Sequence, residues 1–186
     1  MSKINQTMIF EKAAEIFAQG GLRGFSIRLL SKNLGVVPSV LYHHFPSEET
    51  LLREMFNYLN TELGKKRSEL PPSTNTSEML KKRIAFQLEN ATAIVAVLKY
   101  YFAFRTTFTQ THDGFLPDKS ALHMEEVLQF AKINGEYKHL SLQNDAKVMT
   151  HAVNGFILEY YPYTLKESEK TELVNRIHDF LFRALK

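Results

Sequence analysis

The sequence predicts an all-α protein, with a three-helix domain at the N-terminus and a larger helical bundle after it. Apolar residues recur at helical spacing along most of the 186-residue chain, and the polar/apolar alternation of strands is missing. Hydrophobic residues make up 44% of the chain, enough for a sizeable core. The segment 70–77, LPPSTNTS, combines two prolines with turn-forming residues, and it predicts a boundary between the two parts.

Four helices are predicted before that boundary and five after it. They cover about 6–18, 27–34, 38–44, 47–67, 78–90, 92–108, 118–133, 142–160 and 167–185. Cap and turn residues set their ends. The residues expected to begin or end a helix are Gly20, Gly21, Ser26, Gly35, Ser47, Asp118, Gly135, Ser141, Pro162 and a capping box, TLKE, at 164–167.

The segment 34–45, LGVVPSVLYHHF, joins two short helices through a glycine turn and predicts a helix-turn-helix. Pro38 suits the first position of the second helix, where its missing N–H needs no partner. Val40 and Leu41 are expected to anchor this helix inward. The side chains expected to point outward together are Ser39, Tyr42 and His43, at i, i+3 and i+4. Hydroxyl and imidazole groups on an exposed helix can bond base edges and phosphates, so this face predicts contact with a DNA major groove.

Charge and composition limit the class of function. Five basic and two acidic residues before position 47 account for the whole net charge of +3, which favours a polyanionic partner for this part. The chain has no cysteine, so disulfides and thiolate metal sites are excluded. The longest apolar stretch, 91–104, contains Lys99 and is too short to span a bilayer. The N-terminus lacks the apolar run of a signal peptide, so the expected location is the cytoplasm.

The motifs of common enzyme classes are missing from the sequence. No two of the seven histidines have the i, i+4 spacing of a helical zinc site. There is no glycine-rich phosphate loop and no Gly-x-Ser-x-Gly nucleophile turn. The basic run KKR at 81–83 is interpreted as a solvated helix surface, with a second phosphate-binding patch as the alternative. We therefore predict no catalytic activity, no metal and no cofactor.

Residues 7–52 resemble the N-terminal DNA-binding domain of the TetR family of bacterial transcriptional regulators. The resemblance rests on AAEIFAQGG in the first helix, a serine opening the second, GV in the turn and the LYHHF box at 41–45. It implies a DNA-binding domain at 1–47 with its helix-turn-helix at about 24–43, a connecting helix at 48–69, and a ligand-binding and dimerisation domain at 70–186. It also implies a homodimer that binds a (pseudo)palindromic operator as a repressor and is released by a small-molecule ligand.

By position in the motif, the resemblance implies a set of DNA-binding residues. These are Ser26, Arg28, Pro38, Ser39, Tyr42, His43 and His44. For Tyr42 and His44 a hydrogen bond within the fold is the alternative. Two residues depart from the family pattern: Val37 replaces the usual serine or threonine, and Glu48 replaces the usual lysine. Valine cannot cap the recognition helix, and a carboxylate repels a phosphate although it suits the helix dipole.

The segment 100–108, YYFAFRTTF, is richer in aromatic residues than a routine core needs. Core packing and the lining of a pocket between helices both remain open, and the pocket would take a largely apolar or aromatic ligand. Arg105 is the nearby cation for an acidic group. The candidate pocket residues are Phe86, Tyr101, Phe104, Arg105, Phe108, Met124, Phe156 and Tyr160.

Apolar stripes on the last two predicted helices indicate a dimer interface. The interior Gly155 suggests close approach of a partner helix, with a contact in the core as the alternative. The predicted interface residues are Ala146, Met149, Val153, Gly155, Ile157, Leu173, Ile177, Phe180, Leu181 and Ala184.

A rival function stays open at this point. The chain could be a helical ligand-binding protein or a small enzyme of the same fold that has lost DNA binding, with Val37 and Glu48 as its traces. Salt-dependent binding to duplex DNA separates the two possibilities.

Overall fold

The fold is described from a computed structural model, over residues 4–111, 117–137, 141–161 and 163–183, with the side chains of 105–122 left aside. All regular secondary structure within these ranges is helical, which confirms the all-α prediction. The helices are α1 (Gln6–Gly24), α2 (Ile27–Leu34), α3 (Pro38–His44), α4 (Glu48–Ser68), α5 (Thr76–Glu89), α6 (Ala91–Thr111), α7 (Pro117–Ile133), α8 (Leu142–Tyr160) and α9 (Glu167–Arg183). No helix among the described residues is long and apolar enough to cross a membrane.

The chain forms two compact units. Unit 1 comprises Met1–Ser68 and Thr92–Thr107, and unit 2 comprises Glu69–Ala91 and Phe108–Lys186. The first boundary lies just before the proline-rich segment that the sequence marked as a break. The sequence-based division placed everything after residue 69 in one domain, whereas most of α6 packs with unit 1. Although α6 follows the proline-rich segment in the chain, the aromatic side chains on one of its faces pack against the N-terminal helices. It therefore joins the core of unit 1.

The core of unit 1 is built from aromatic and aliphatic side chains of α1 to α4 together with α6. The ring of Tyr100 on α6 stacks on Phe56 at a centroid distance of 4.5 Å and lies 6.4 Å from Phe17. Both phenylalanines are fully buried or nearly so. Tyr100 is therefore a core residue, which supports the core-packing interpretation for this part of the aromatic segment.

Helix α1 contains a kink. Gly21 has φ 59° and ψ −158°, a conformation that glycine adopts without strain, and a last turn continues to Gly24. The prediction that Gly20 and Gly21 end this helix is therefore wrong in its boundary, although the helical geometry does break there. The Lys99 ammonium donates to the carbonyl oxygens of Ala18 at 2.6 Å and Gln19 at 3.0 Å, beside this kink.

The predicted helix caps have mixed outcomes. Ser26 and Ser47 begin their helices with side-chain caps, and Gly35 and Gly135 end theirs in the left-handed conformation, as predicted. Asp118 is not a cap, because α7 begins at Pro117, a residue suited to the first helical position. The capping box is also wrong: α9 begins at Glu167, and the Lys166 N–H donates to the Glu169 carboxylate at 2.6 Å. Ser141 occupies the cap position of α8 without a side-chain bond, and Pro162 lies outside the described residues.

The apolar stripes on α8 and α9, which the sequence analysis assigned to a dimer interface, form the core of unit 2 itself. Seven of the predicted residues are at most 5% exposed within the single chain: Ala146, Met149, Val153, Ile157, Leu173, Ile177 and Leu181. Gly155 and Phe180 are exposed, and Ala184 lies outside the described residues. A stripe at helical spacing shows that a helix face is buried, but not whether its neighbour belongs to the same chain.

Candidate nucleic-acid interface

Helices α2 and α3 form a helix-turn-helix around the glycine turn. Gly35, at φ 69°, lets its own N–H reach the Lys32 carbonyl at 3.2 Å and lets the Val36 N–H reach the Ser31 carbonyl at 3.0 Å. These bonds satisfy carbonyls at the end of α2 and set the angle at which α3 leaves. The geometry of this turn is therefore set by residues close together in the chain.

Two residues anchor α3 to the core of unit 1. Leu41 and Phe45 lie one helical turn apart and are 0% exposed, and the Phe45 ring packs against Phe10 at 5.7 Å. Val40 is 37% exposed, so the prediction that it anchors the helix inward is wrong. Residues i and i+1 on a helix point about 100° apart, and with Leu41 facing the core Val40 is turned towards solvent.

The outward face of α3 presents hydroxyl, phenol and imidazole groups. Ser39, Tyr42 and His43 are exposed, as predicted, and Tyr42 is 51% exposed. His44 is exposed too, and no hydrogen bond to another residue holds it in the described part of the chain, which leaves it available to an external partner. Pro38 is half-buried at the first position of the helix.

The N-terminus of α2 is already satisfied by protein groups. The Ser26 hydroxyl accepts the Leu29 N–H at 3.1 Å, so its observed role is a helix cap. The Glu48 carboxylate accepts the Ile27 N–H at 2.9 Å. Arg28, by contrast, is exposed on α2 and free to meet a phosphate. Sequence reasoning missed the Glu48 bond because 21 positions separate its partners.

The candidate pocket residues fall in both units. Phe86 and Met124 are buried in unit 2 and Phe156 and Tyr160 are half-buried there, whereas Tyr101 and Phe104 are half-buried on the part of α6 that belongs to unit 1. The side chains of Arg105 and Phe108 lie outside the described set.

Unit 2 contains buried polar atoms that sequence reasoning missed. Arg83 was interpreted as part of a solvated basic run, but its side chain is only 15% exposed and bonds the Glu126 carboxylate at 2.7 Å. Among the described residues no partner reaches its second terminal nitrogen, which is buried, and the same holds for the Gln87 amide oxygen and the Thr150 hydroxyl. The burial of Arg83 could have been inferred from helical spacing in the sequence. Arg83 and Gln87 lie one turn apart on α5, beside the buried Ile84.

A hydrogen-bonded chain joins α5 to α9 within unit 2. The Ser77 hydroxyl lies 2.9 Å from His178 Nε2, and His178 Nδ1 lies 2.9 Å from the Asp179 carboxylate, an arrangement that lowers the pKa of Asp179. The order of groups matches a hydrolase triad, but the triad aspartate is buried whereas the Asp179 side chain is 59% exposed. We interpret the chain as a structural tie. No cluster of three metal-binding side chains occurs among the described residues.

An exposed recognition helix, held by two buried anchors behind a glycine turn, defines this chain as a helix-turn-helix protein. Residues 9–55 match the family model described as bacterial regulatory proteins, tetR family. The N-terminal part of the chain is therefore similar to the DNA-binding domain of the TetR family.

Curated relatives match mainly through this N-terminal region. The transcriptional repressor KstR2 of Rhodococcus jostii is 27% identical over 97 residues, covering 52% of this chain and 48% of that protein. The transcriptional regulator UidR of Escherichia coli is 38% identical over 48 residues, covering 26% of this chain and 24% of that protein. The chain thus matches about half or less of the length of these relatives.

Solved structures share the fold over nearly the whole chain. PfmR, a TetR-family regulator from Thermus thermophilus, superposes with a TM-score of 0.68 at 19% sequence identity. The superposition covers 99% of this chain and 98% of the PfmR chain. KstR2 of Mycobacterium tuberculosis has a TM-score of 0.66 at 16% identity, covering 99% and 97%. At these identities the likeness establishes the fold.

Proposed function

We propose that this protein is a sequence-specific DNA-binding regulator of transcription, a homodimeric repressor that a small-molecule ligand releases from a (pseudo)palindromic operator. The observation that carries the proposal is the exposed face of α3, which presents hydroxyl and imidazole groups on two buried anchors. As a regulator of transcription it would act in the cytoplasm.

The chemistry of unit 1 supports distinct roles on DNA. Arg28 is exposed on α2 and suits a phosphate, and the Tyr42 hydroxyl also suits a phosphate oxygen. Ser39 and His43 present donors and acceptors that can bond base edges. Phosphate contacts position a protein on the duplex, and base contacts select the sequence.

A second copy of the chain is the proposed partner of the outer face of unit 2. With their apolar stripes buried in the chain's own core, α8 and α9 each keep an exposed face. The exposed residues are Val148, His151, Gly155 and Leu158 on α8, and Arg176, Asp179, Phe180 and Arg183 on α9. The four α9 residues line a shallow depression of about 550 Å³. In a two-fold interface each patch meets its own copy, so Asp179 of one copy can pair with an arginine of the other.

The proposed ligand is an apolar molecule with a hydrogen-bond acceptor such as a carboxylate. Within the described part of the chain the buried nitrogen of Arg83 lacks an acceptor. A buried unpaired donor on a charged group is unfavourable, so a ligand that supplies the acceptor would bind well. Gln87 and Thr150 add two more unpaired polar atoms in the same unit. Thermal unfolding with a series of fatty and aromatic acids, matched by their alcohols, tests this: acids should raise the Tm and Arg83→Met should remove the difference.

Salt-dependent binding to duplex DNA tests the proposed function against the ligand-binding or enzymatic alternative. Fluorescence anisotropy between 50 and 200 mM salt should show affinity falling steeply, as expected when several phosphates are contacted. Tyr42→Ala should weaken binding, whereas Tyr163→Ala, at a tyrosine 67% exposed outside unit 1, should not. Equal affinities for the two variants, or no salt-dependent binding, would favour the alternative.

A further inference from the structure

The outward side of α3 includes two apolar side chains that the predicted polar contacts do not use. Val37, at the cap position, is 61% exposed and Val40 is 37% exposed. They lie three positions apart and are therefore neighbours on one side of the helix. Single exposed apolar residues are ordinary, but these two lie on the element that a helix-turn-helix protein places in the major groove.

The chemistry of α3 limits which base features it can recognise. The helix contains no lysine, arginine, aspartate, glutamate, asparagine or glutamine. It therefore cannot make the paired contacts to guanine, adenine or cytosine that these side chains provide. Hydroxyl, imidazole and apolar contacts remain, and the apolar feature of the major groove is the C5-methyl group of thymine.

Neighbouring residues restrict the backbone at both valines. Val37 lies between the left-handed Gly35 turn and Pro38, whose ring restricts the backbone. Val40 precedes the fully buried Leu41. Val40 lies within α3, where valine has essentially one side-chain rotamer, so little conformational entropy is lost when its methyl groups are buried.

We propose that Val37 and Val40 recognise thymine methyl groups in the major groove, so that each operator half-site has thymines facing them. This inference rests on the proposed DNA-binding function and names the base feature that the recognition helix selects. It also gives Val37 a function in place of the serine or threonine of the family pattern: an apolar contact replaces a polar one.

Deoxyuridine substitution tests the proposal, because deoxyuridine pairs like thymidine and lacks only the C5-methyl group. An operator selected from random duplexes is resynthesised with each thymidine replaced in turn, and the Kd is measured. We expect a loss of about fourfold at one or two positions of each half-site, the value for one buried methyl group. Replacements between the half-sites serve as the control on the DNA.

Protein variants assign the methyl contact to each valine. Val37→Ala or Val40→Ala should weaken binding to the operator that contains thymidine. Each variant should also remove the deoxyuridine penalty, meaning the loss of affinity when deoxyuridine replaces the thymidine that the mutated valine contacts. A double-mutant cycle measures this coupling. Ile133→Ala, at an apolar side chain 74% exposed in unit 2 and away from the proposed dimer face, should retain the penalty in full.

The outcomes distinguish this inference from the function on which it rests. A selected operator without thymine in its half-sites, or a deoxyuridine penalty that persists in both alanine variants, would overturn the recognition of thymine while leaving sequence-specific binding intact. Recognition of thymine would also be overturned if the variants bound the operator normally but lost a protein partner. The two valines would then form a protein-docking surface. A selection that yields no operator would overturn both this inference and the proposed function.

Discussion

Replacement of Glu48 should change the stability of unit 1 and its affinity for DNA in opposite directions. The Glu48 carboxylate accepts the Ile27 N–H at 2.9 Å, and Ile27 is 0% exposed. Glu48→Ala should remove this helix cap at a cost of about 0.5–2 kcal/mol. The variant also removes a negative charge that interacts favourably with the dipole at the N-terminus of α2. Such an interaction stabilises a helix by about 0.3–1 kcal/mol, and by less where the side chain is exposed. We expect unit 1 to lose about 1–2 kcal/mol, and its Tm to fall by roughly 4–16 °C.

Affinity for DNA should rise in the same variant, because a carboxylate beside α2 repels the phosphate backbone. Glu48→Gln separates the two effects: its amide oxygen can still accept the Ile27 N–H, so most of the stability should remain, while the gain in affinity should match that of Glu48→Ala. Glu48→Lys should bind still more tightly and steepen the slope of log affinity against log salt by about one unit.

Urea unfolding and fluorescence anisotropy at 50–200 mM salt measure the two quantities. Glu49→Ala is the control for stability, since Glu49 is an exposed neighbour in the same helical turn, and the change should stay within about 0.5 kcal/mol. Equal destabilisation by Glu48→Ala and Glu48→Gln would show that charge, and not the hydrogen bond, stabilises α2. Unchanged affinity in all three Glu48 variants would show that this side chain lies away from the DNA.

Three further predictions follow from the structure. Phe180→Asp, at a side chain 62% exposed, should give a folded monomer in sedimentation, whereas Ile177→Glu, at one 1% exposed, should unfold unit 2; a dimeric Phe180→Asp variant would move the interface elsewhere. Tyr42→Phe should weaken binding equally on every duplex if its hydroxyl holds a phosphate, and a loss confined to one operator variant would make Tyr42 a base reader. The pKa of Glu78 is lowered from 4.5 to about 2, mainly by its bond with Lys82. Its stabilising effect should therefore be complete above pH 4.5 and disappear as the pH falls towards 2, so urea midpoints of the wild type and of Glu78→Gln should converge there; a constant difference would contradict this.

The helix-turn-helix could be predicted because its determinants are local. Ser26 caps α2 within one turn, Gly35 adopts the left-handed conformation, and Leu41 and Phe45 share a face one turn apart. Each of these features depends on residues within four positions of one another, so sequence spacing reveals them. The same locality explains why Val40 was misplaced, since a helix of seven residues leaves the edge of its buried face undetermined.

The remaining features depend on contacts that sequence spacing does not reveal. The Glu48 bond to α2 and the burial of Arg83 beside Glu126 join positions far apart in the chain. The stripes on α8 and α9 are apolar because unit 2 needs a core, and a partner subunit would produce the same spacing. Three-dimensional packing decides between these possibilities.

Selection from random duplexes, followed by the stoichiometry of the complex, tests the central claim most directly. A dimeric reader predicts a recovered site with two-fold symmetric half-sites separated by a whole number of helical turns, about 10 base pairs or a multiple of it. Two chains, or a multiple of two, should occupy each site in sedimentation. Recovery of no symmetric motif, or one chain bound to an asymmetric site, would contradict the account.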